Sequence, residues 1–503
     1  MKIDRRDNSA IEMSGDDFRR LGHELVDRIA SFLDELPELP VTRGEPVDVL
    51  RSRLKPDGMP HQGMGAESAL SGVADMLIDH SLFNGHPRFW GYITSSAAPI
   101  SALADMLAAT INPNVGGAIL SPIASEIEAQ TIRWLASLLG YPTTCGGVLV
   151  SGGNMANFVG FMVGRQVKAP WDIKSIGVQH EGRSLITYVS AETHTWIEKA
   201  AELFGQGRQA FRWIPTDHKQ RMRMDLLEQQ IQRDRDDGHV PIMVVGAAGT
   251  VGTGAVDPLS DIADLCEKHQ LWFHVDGAYG APAILSPQAP SQILGMQRAD
   301  SIAMDPHKWL YAPLEAGCVL VRDAAHMVQT FSHHPTYYKF DNVADQPTPN
   351  YHEYGLQNSR GFRALKVWLT MRQVGVGGFR QLIDDDITLA QRLYDVMSEH
   401  PEFEAVTHNL SICTFRYVPT DITTDTEERE RYVNQLNEAL LKRLQEGGEV
   451  FVSNAVIPGE RMEKFVLRAC IVNYRTTMQD ILAAPEIIAR IGAEVRAMMD
   501  RSS

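Results

Sequence analysis

Short apolar runs alternate with helix-like segments through the middle of the chain, and this alternation constrains the fold more than any other feature. The apolar runs have the length of buried strands, and the segments between them place apolar residues at helical spacing. The runs cover residues 185–189, 242–246 and 271–275, and the helix-like segments cover 194–204, 224–233 and 260–269. The pattern predicts βαβ units, and therefore an α/β fold with a mostly parallel sheet whose ligands bind at the carboxyl ends of the strands.

The length and the patterning of the remaining segments predict further units. At 503 residues the chain is too long for a single core. An amphipathic helix over residues 14–33 and a proline-rich stretch after it predict an N-terminal helical arm, residues 1–84. Beyond residue 376 the pattern changes to that of an α+β domain. We therefore expect a large domain over residues 85–375 and a small C-terminal domain over residues 376–503.

Composition excludes several classes of partner. The net charge of −16 disfavours nucleic acid and anionic membranes, since both select basic surfaces. The five cysteines include no Cys-x-x-Cys pair, which is typical of the reducing cytoplasm, and no Cys/His cluster predicts a metal. No apolar run reaches the ~18 residues of a membrane span, and the polar N-terminal residues predict no signal peptide. We expect a cytoplasmic protein with a small-molecule substrate.

A glycine-rich turn follows the apolar run at residues 147–150. Ser151, Gly152 and Gly153 lead into a helix that is predicted to begin near Asn154. The free N–H groups at the start of a helix, together with its dipole, bind phosphate, although the same kind of turn also serves merely to start a helix. A second glycine-rich stretch, residues 249–254, has GxxGxG spacing instead of GxGxxG, so we predict no dinucleotide site.

Lys308 occupies an unusual position for a lysine. It lies in a proline-bounded loop between two apolar runs, residues 301–304 and 317–321, with Trp309 next to it. A lysine that is partly removed from water offers a neutral amine to carbonyl carbons, whereas the alternative is a loop lysine that only packs its stem on an aromatic ring. Asp276 ends the preceding strand-like run. Pyridoxal phosphate requires a lysine, an acid for its pyridine nitrogen and an anion site, and the sequence supplies all three at the ends of predicted strands.

Four stretches together resemble the signatures of the group II pyridoxal-phosphate-dependent decarboxylases, the family of aromatic L-amino-acid, glutamate and histidine decarboxylases. They are Ser151-Gly-Gly-Asn154, His194, His274-Val-Asp-Gly-Ala-Tyr279 and Asp305-Pro-His-Lys-Trp309. The similarity covers nearly the whole chain. It implies a type I aminotransferase-like fold, a pyridoxal-phosphate-dependent amino-acid decarboxylase, and a homodimer whose N-terminal helices wrap the partner subunit.

The resemblance also implies roles for individual residues. Lys308 is implied to form the Schiff base with the cofactor, and Asp276 to pair with its pyridine nitrogen. His194 and Ala278 are implied to lie on opposite faces of the cofactor ring. The remaining implied contacts are Gly153 and Asn154 at the phosphate, His307 close by, and Thr250 at the border of the cofactor.

Tyr351 decides the predicted reaction. In the decarboxylases of this family a tyrosine on a mobile loop protonates the carbanion left by CO2 loss, whereas the related oxygen-consuming aldehyde synthases usually lack this tyrosine or the stacking histidine. Position 351 is matched to that tyrosine, and His194 is also present. We therefore expect simple decarboxylation with Tyr351 as general acid, and the aldehyde synthase is the alternative. The polar loop before it, residues 339–350, is either a lid or filler.

The substrate is predicted from two walls of the pocket. Trp90 and Tyr92 lie where the aromatic decarboxylases line their pocket. Residues 112–117, which include Asn114 and Gly116, read Asn-Pro-Asn-Val-Gly-Gly where those enzymes carry bulky apolar residues from the partner subunit. This departure indicates a wider or more polar pocket. We expect an aromatic amino acid, and the alternatives are glutamate, diaminobutyrate or a branched aliphatic amino acid.

Overall fold

A computed structural model describes residues 11–54, 58–59, 61–333, 349–423 and 426–502. Most of the loop predicted at residues 339–350 therefore lies outside the described residues, and so does the choice between a lid and filler. Within the described ranges, no helix is long and apolar enough to cross a membrane.

A seven-stranded sheet forms the centre of the molecule. Its strands are β1 (Gly146–Val150), β2 (Leu185–Ser190), β3 (Phe211–Ile214), β4 (Val240–Ala247), β5 (Trp272–Asp276), β6 (Ser301–Met304) and β7 (Gly317–Val321). The spatial order is β1-β7-β6-β5-β4-β2-β3, and only β7 runs antiparallel to its neighbours. Nearly every strand residue is buried, because helices cover both faces of the sheet. The predicted α/β fold with a mostly parallel sheet is confirmed.

Helices before and between these strands complete the layers around the sheet. Helix α6 (Gly153–Lys168), which starts shortly after β1, packs against five strands of the sheet, β1, β4, β5, β6 and β7. Before β1 lie α1 (Gly15–Glu35), α2 (Val47–Leu54), α3 (Ala66–His80), α4 (Pro99–Ile111) and α5 (Pro122–Leu138). Among the strands lie α6 (Gly153–Lys168), α7 (Ile173–Ile176), α8 (Trp196–Leu203), α9 (Met224–Asp236) and α10 (Leu259–His269), and α11 (Ala324–Phe331) follows β7.

A second, four-stranded antiparallel sheet lies in the C-terminal part of the chain. Its strands are β8 (Phe403–Asn409), β9 (Ile412–Tyr417), β10 (Ser453–Ile457) and β11 (Lys464–Cys470), in the order β10-β11-β9-β8. The helices α12 (Ala364–Glu399), α13 (Glu427–Gly447) and α14 (Met478–Ser502) enclose a separate apolar core with this sheet. Helix α12 is interrupted at Gly375, whose φ of 64° is left-handed, and it continues beyond this break into the second core.

The sequence predictions of individual elements differ from the structure at a few places. The apolar residues within 449–453 predict a strand over this range, and this prediction is wrong, because pairing with β11 begins only at Ser453. Strands β3 and β8 are short or partly exposed and have too little apolar periodicity to be predicted. The run Thr476-Thr477-Met478-Gln479-Asp480 is a capping pattern that predicts the start of the last helix. This prediction is confirmed, since the Asp480 carboxylate accepts a hydrogen bond from the Thr477 backbone at 2.9 Å. The domain boundaries at residues 84 and 375 stay predictions.

Candidate active site

A cleft of about 680 Å³ opens at the carboxyl ends of the central strands, where parallel sheets bind their ligands. The start of α6 and the loops after β4, β5 and β6 form one side of it, and the four-stranded sheet forms the other. Nine of the residues predicted for the site line this cleft: Tyr92, Gly153, Asn154, His194, Thr250, Asp276, Ala278, His307 and Lys308. The strand order thus brings together residues that are far apart in the sequence.

Lys308 lies in the turn that follows β6. Its backbone N–H donates to the Asp305 carbonyl at 2.9 Å, which closes the turn and directs the side chain into the cleft. The Lys308 Nζ atom lies 3.0 Å from Asp305 Oδ2. The Asp305 carboxylate is buried, and its Oδ1 atom accepts no hydrogen bond from the described residues. The cleft therefore presents an amine beside a buried carboxylate that still has a free acceptor atom.

The open start of α6 forms the anion-binding end of the cleft. Among the residues that the structure describes, no side chain caps this 16-residue helix, whose N-cap residue is Gly152 at a φ of 150°. A Cβ atom on Gly153 would lie 2.7 Å from Asp305 Oδ2, and one on Gly317 would lie 2.6 Å from Gly152 Cα. Glycines at these positions allow the close packing of the turn. The unpaired N–H groups of the first helical turn suit a phosphate.

Asp276 is the acid at the end of β5. Its Oδ2 atom accepts a hydrogen bond from the Trp196 indole at 2.8 Å, and its Oδ1 atom accepts one from the Ala278 backbone at 3.2 Å. These two donors fix the orientation of the carboxylate, which still reaches the cleft. A carboxylate held in this way can keep a proton on a ring nitrogen beside it, because a pair of unit charges about 4 Å apart interacts with ~4 kcal/mol at an effective dielectric of ~20.

Two histidines contribute neutral rings to the cleft. Burial lowers the pKa of His194, and the nearby Lys308 lowers this pKa further, although the Asp276 carboxylate opposes the shift. Burial also lowers the pKa of His307. The backbone of Ala316 holds the His307 ring, because its N–H and C=O lie 3.1 and 2.8 Å from His307 Nδ1. An uncharged imidazole offers a flat surface on which a heteroaromatic ring can stack without charge repulsion.

Two polar side chains complete the side of the cleft near β4. Thr250 is buried, and its hydroxyl accepts a hydrogen bond from the Ala255 backbone at 3.2 Å, which closes the loop after β4. Glu192, which the sequence did not single out, also lines the cleft. Burial raises the pKa of the Glu192 carboxyl group. The loop and the carboxyl group therefore limit the space beside the central site.

The wall contributed by the four-stranded sheet was missed from the sequence. Arg468 on β11 is 3% exposed, and it donates to Ser453 Oγ at 2.8 Å and to the Tyr92 carbonyl at 3.3 Å. Its Nε and Nη2 atoms have no partner among the described residues. Tyr92 has a left-handed φ of 52° and is 58% exposed at the cleft. The available signal was an arginine within the apolar run at residues 465–470, since a buried charge needs a specific reason.

Trp90, predicted to line the substrate pocket, does not lie on the cleft wall. Its side chain is 1% exposed and belongs to the core of the four-stranded sheet. The indole N–H donates to the Pro87 carbonyl at 3.0 Å and to Thr476 Oγ1 at 3.2 Å. This prediction is corrected, because the Trp90 side chain packs in the core and is hydrogen-bonded there. The exposed aromatic residue at the cleft is Tyr92, two residues later.

Three further predicted residues also lie outside the cleft: Tyr351, Asn114 and Gly116. The chain segments that carry them are hydrogen-bonded to each other instead, since the His352 backbone N–H donates to the Gly116 carbonyl. Asn114 Oδ1 accepts hydrogen bonds from the backbones of Gly116 at 3.0 Å and Arg360 at 3.1 Å. Tyr351 is buried in a 3-10 turn, with its ring centroid 5.0 Å from the Arg360 guanidinium and its hydroxyl unpaired among the described residues. The structure of this chain does not place these three residues beside Lys308, and their predicted roles stay predictions.

The cleft residues fit pyridoxal phosphate. The group has a phosphate, an aldehyde and a basic ring nitrogen, and the cleft offers an uncapped helix start, the amine of Lys308 and the carboxylate of Asp276. The unpaired Asp305 Oδ1 atom beside the lysine is a further acceptor that a bound ligand can satisfy.

Comparisons with known proteins agree with this fit. The pyridoxal-dependent decarboxylase conserved domain matches residues 50–418. An aromatic-L-amino-acid decarboxylase of Bacillus atrophaeus is 35% identical over 487 residues, which are 96% of this chain and 97% of the relative. A phenylacetaldehyde synthase of Petunia hybrida is 28% identical over 468 residues, which are 91% of this chain and 92% of the relative.

Solved structures show the same architecture. The Oryza sativa TDC solved with PLP and tryptamine superposes with a TM-score of 0.86 at 26% identity, covering 96% of this chain and 99% of its own. The fold implied by the resemblance is therefore confirmed. Because the decarboxylase domain matches most of the chain and the cleft residues fit its cofactor, the chain belongs to the pyridoxal-dependent decarboxylase family and is a pyridoxal-phosphate-dependent enzyme.

Proposed function

We propose that the enzyme converts an aromatic L-amino acid into the corresponding amine and CO2. The observation that carries this proposal is the cleft, in which Lys308 and Asp276 face the uncapped start of α6. The Bacillus relative, named as an aromatic-L-amino-acid decarboxylase, supports the aromatic class. The exposed ring of Tyr92 and the apolar side chains of Ile93 and Val456 give the outer cleft surfaces on which an aromatic side chain can pack.

Residues of the cleft have separate tasks in holding the cofactor. The N–H groups at Gly153 and Asn154 would hold its phosphate, with His307 beside them, and the Lys308 amine would hold it at its aldehyde. Thr250 borders the site. Bound pyridoxal phosphate supplies an electron sink for the electron pair that CO2 leaves behind.

The orientation and the protonation of the cofactor ring depend on three residues. Asp276 keeps a proton on the ring nitrogen, and the Trp196 indole holds that carboxylate in place at 2.8 Å. The neutral ring of His194 would pack on one face of the cofactor, and Ala278 would offer a small side chain to the other, since both residues line the cleft. His194 is uncharged at neutral pH, so it does not weaken the positive charge that Asp276 maintains.

A panel of amino acids incubated with the holoenzyme tests this function. We expect phenylalanine, tyrosine, tryptophan or their hydroxylated forms to yield amine and CO2 in equal amounts without peroxide. Glutamate, diaminobutyrate and branched aliphatic amino acids serve as the competing substrates. Turnover of one of these at a higher kcat/KM than any aromatic amino acid would refute the aromatic assignment.

An oxygen-consuming aldehyde synthase is the second candidate function. The Petunia relative is named as a phenylacetaldehyde synthase, so similarity of this degree also extends to that class. An oxygen electrode and a peroxide assay in the same panel separate the two reactions. Formation of aldehyde, ammonia and peroxide together with oxygen uptake would refute the decarboxylase assignment and support the aldehyde synthase.

Tyr351 is proposed as the group that returns a proton to the reacting carbon. Because its hydroxyl is buried away from Lys308 in the described chain, the proposal requires Tyr351 to act from another conformation or in the cleft of a second subunit. A Tyr351→Phe variant removes only the hydroxyl. A loss of at least ~100-fold in amine formation supports general-acid catalysis. A variant that forms amine at the wild-type rate removes Tyr351 from the mechanism.

The chain is proposed to act as a homodimer. An exposed apolar face runs from α4 to the start of α5 and consists of Leu103, Met106, Leu107, Ile111, Ile119, Leu120 and Ile123. A patch of this composition is typical of a subunit interface. Analytical ultracentrifugation is expected to give twice the chain mass of 55.9 kDa. A double variant Ile119→Glu/Ile123→Glu is expected to sediment as a monomer, and a wild-type protein of single-chain mass contradicts the proposal.

The cytoplasm is the proposed location. All five cysteines are free and four of them are buried, which suits a compartment that keeps thiols reduced. Fractionation of cells that express the tagged protein tests this assignment, and recovery outside the cytoplasm contradicts it.

A further inference from the structure

The turn that carries Lys308 contains a residue in an unfavourable backbone conformation. Tyr311 has a left-handed φ of 57°, which side chains with a Cβ atom rarely adopt. Its backbone N–H donates to the Lys308 carbonyl at 3.2 Å, so the conformation of Tyr311 determines how the turn after the lysine closes. A strained conformation of this kind persists only where the surroundings hold it.

Asp386 on α12 is the residue that holds both aromatic side chains of this turn. The Trp309 indole N–H donates to Asp386 Oδ2 at 2.8 Å, and the Tyr311 hydroxyl donates to the same atom. All three side chains are at most 2% exposed. The backbone N–H of Asn473 favours the ionised form of this carboxylate, because it lowers the Asp386 pKa against the effect of burial. Hydrogen bonds to a carboxylate are stronger than those between neutral groups, and water does not compete with them here.

The ring face of Trp309 connects the turn to the cleft. The indole stacks on the ring of Tyr279, with centroids 5.0 Å apart and planes 9° from parallel. Tyr279 lines the cleft three residues after Asp276, and its hydroxyl lies 2.6 Å from Ser411 Oγ. Asp386 therefore fixes the rotamer of Trp309, whose ring packs on Tyr279 in the loop that follows Asp276.

We propose that Asp386 is a positioning residue that, through Trp309 and Tyr311, sets the location of the Lys308 amine relative to the cofactor. It touches neither the cofactor site nor the substrate space, since it does not line the cleft. The carboxylate lies on the helix that passes into the C-terminal core, so it joins the lysine turn to that part of the molecule. This inference rests on the proposed role of Lys308.

The replacement Asp386→Asn tests the carboxylate with little change of volume. An amide oxygen can accept both hydrogen bonds, but without the charge that strengthens them, and the amide NH2 group takes the place of the second oxygen of a carboxylate whose ionised form the Asn473 N–H favours. The matched control is Asp385→Asn, which removes the same charge from the adjacent exposed carboxylate. Burial raises the pKa of Asp386 to about 7, so assays at pH 8 compare the ionised carboxylate with the amide.

Two readouts on purified holoenzyme decide the role. We expect Asp386→Asn to lower kcat at least tenfold with KM within twofold of the wild type, and to release cofactor at least tenfold faster when visible absorbance is followed during dialysis. Asp385→Asn is expected to match the wild type in both measurements. An Asp386→Asn enzyme with the kcat and the release rate of its control would overturn the proposal.

A double-mutant cycle separates positioning from a general loss of stability. If Asp386 acts through the turn, Asp386→Asn combined with Tyr311→Phe is expected to be no slower than Asp386→Asn alone. Losses in kcat that multiply would overturn the proposal. If Asp386→Asn does not unfold cooperatively, and is therefore not properly folded, the single variant Tyr311→Phe is the test. We expect it to lower kcat at least threefold. An unchanged kcat would contradict the proposal. Retention of the cofactor link in Lys308→Ala would instead refute the proposed role of Lys308.

Discussion

Adding one methyl group at Gly317 is expected to impair cofactor binding more than folding. Gly317 begins β7 opposite Val150, directly behind the turn that starts α6. A Cβ atom there would lie 2.6 Å from both Cα and the carbonyl carbon of Gly152 and 2.8 Å from its nitrogen. These are backbone atoms, so no side-chain rotation relieves the contact, and the turn must move by about 1 Å to reach an ordinary separation.

The cost of that movement gives the size of the effect. Overpacking of a dense region costs ~1–3 kcal/mol. If the displaced turn moves the first N–H groups of α6 and thereby weakens phosphate binding by the same free energy, the Kd for pyridoxal phosphate rises ~5- to ~150-fold. Titration of the apoprotein with pyridoxal phosphate, followed by visible absorbance, measures this Kd, and thermal unfolding reports the remaining stability.

Gly355→Ala is the matched control. Its Cβ atom would lie 3.7 Å from the Val148 side chain, which is an ordinary contact, so we expect wild-type affinity. Wild-type affinity in Gly317→Ala as well would refute the argument that the start of α6 holds the phosphate. Equal losses in both variants would also contradict it, because the effect would then not depend on the close approach to Gly152.

Three further predictions concern ionisable side chains. Arg360→Ala is expected to lower the free energy of unfolding, measured by urea denaturation, by ~3–5 kcal/mol, because it leaves the buried Glu128 carboxylate without its partner. The control Arg363→Ala is expected to cost under ~1 kcal/mol, because its partner Glu315 is exposed. Equal losses in the two variants would contradict this prediction. Because burial lowers the pKa of His274 to about 4, the unfolded chain binds this proton first, and stability falls by at most ~3 kcal/mol from pH 6.5 to pH 4; an equal fall in His274→Gln contradicts this. Asp276→Asn is expected to lower kcat at least ~100-fold while the cofactor stays bound, and an unchanged kcat contradicts the ring-nitrogen role.

The central part of the site was predictable because its residues obey a general rule of parallel sheets. Lys308, Asp276 and His194 each follow a buried apolar run, and the carboxyl ends of parallel strands meet at one edge. The glycine-rich turn before α6 is equally local, since the same residues form the turn and start the helix. Chemistry carried by strand ends and helix starts is thus readable from short stretches of sequence.

The outer walls were not predictable because they depend on how distant segments pack. Arg468 and Ser453 reach the cleft only through the docking of the four-stranded sheet, which no local pattern specifies. Trp90 and Tyr92 lie in one aromatic-rich loop, yet one is buried and the other lines the cleft. The left-handed backbone at Tyr92 turns its side chain toward the cleft, and composition gives no sign of that conformation.

The most direct test of the account is the location of the covalent link between the protein and its cofactor. The holoenzyme is reduced with borohydride, digested and analysed by mass spectrometry. We predict a single modified peptide with the reduced pyridoxyl group on Lys308, and none in Lys308→Ala. Attachment at another lysine, or an unmodified Lys308 in active enzyme, would contradict the assignment of this cleft as the active site.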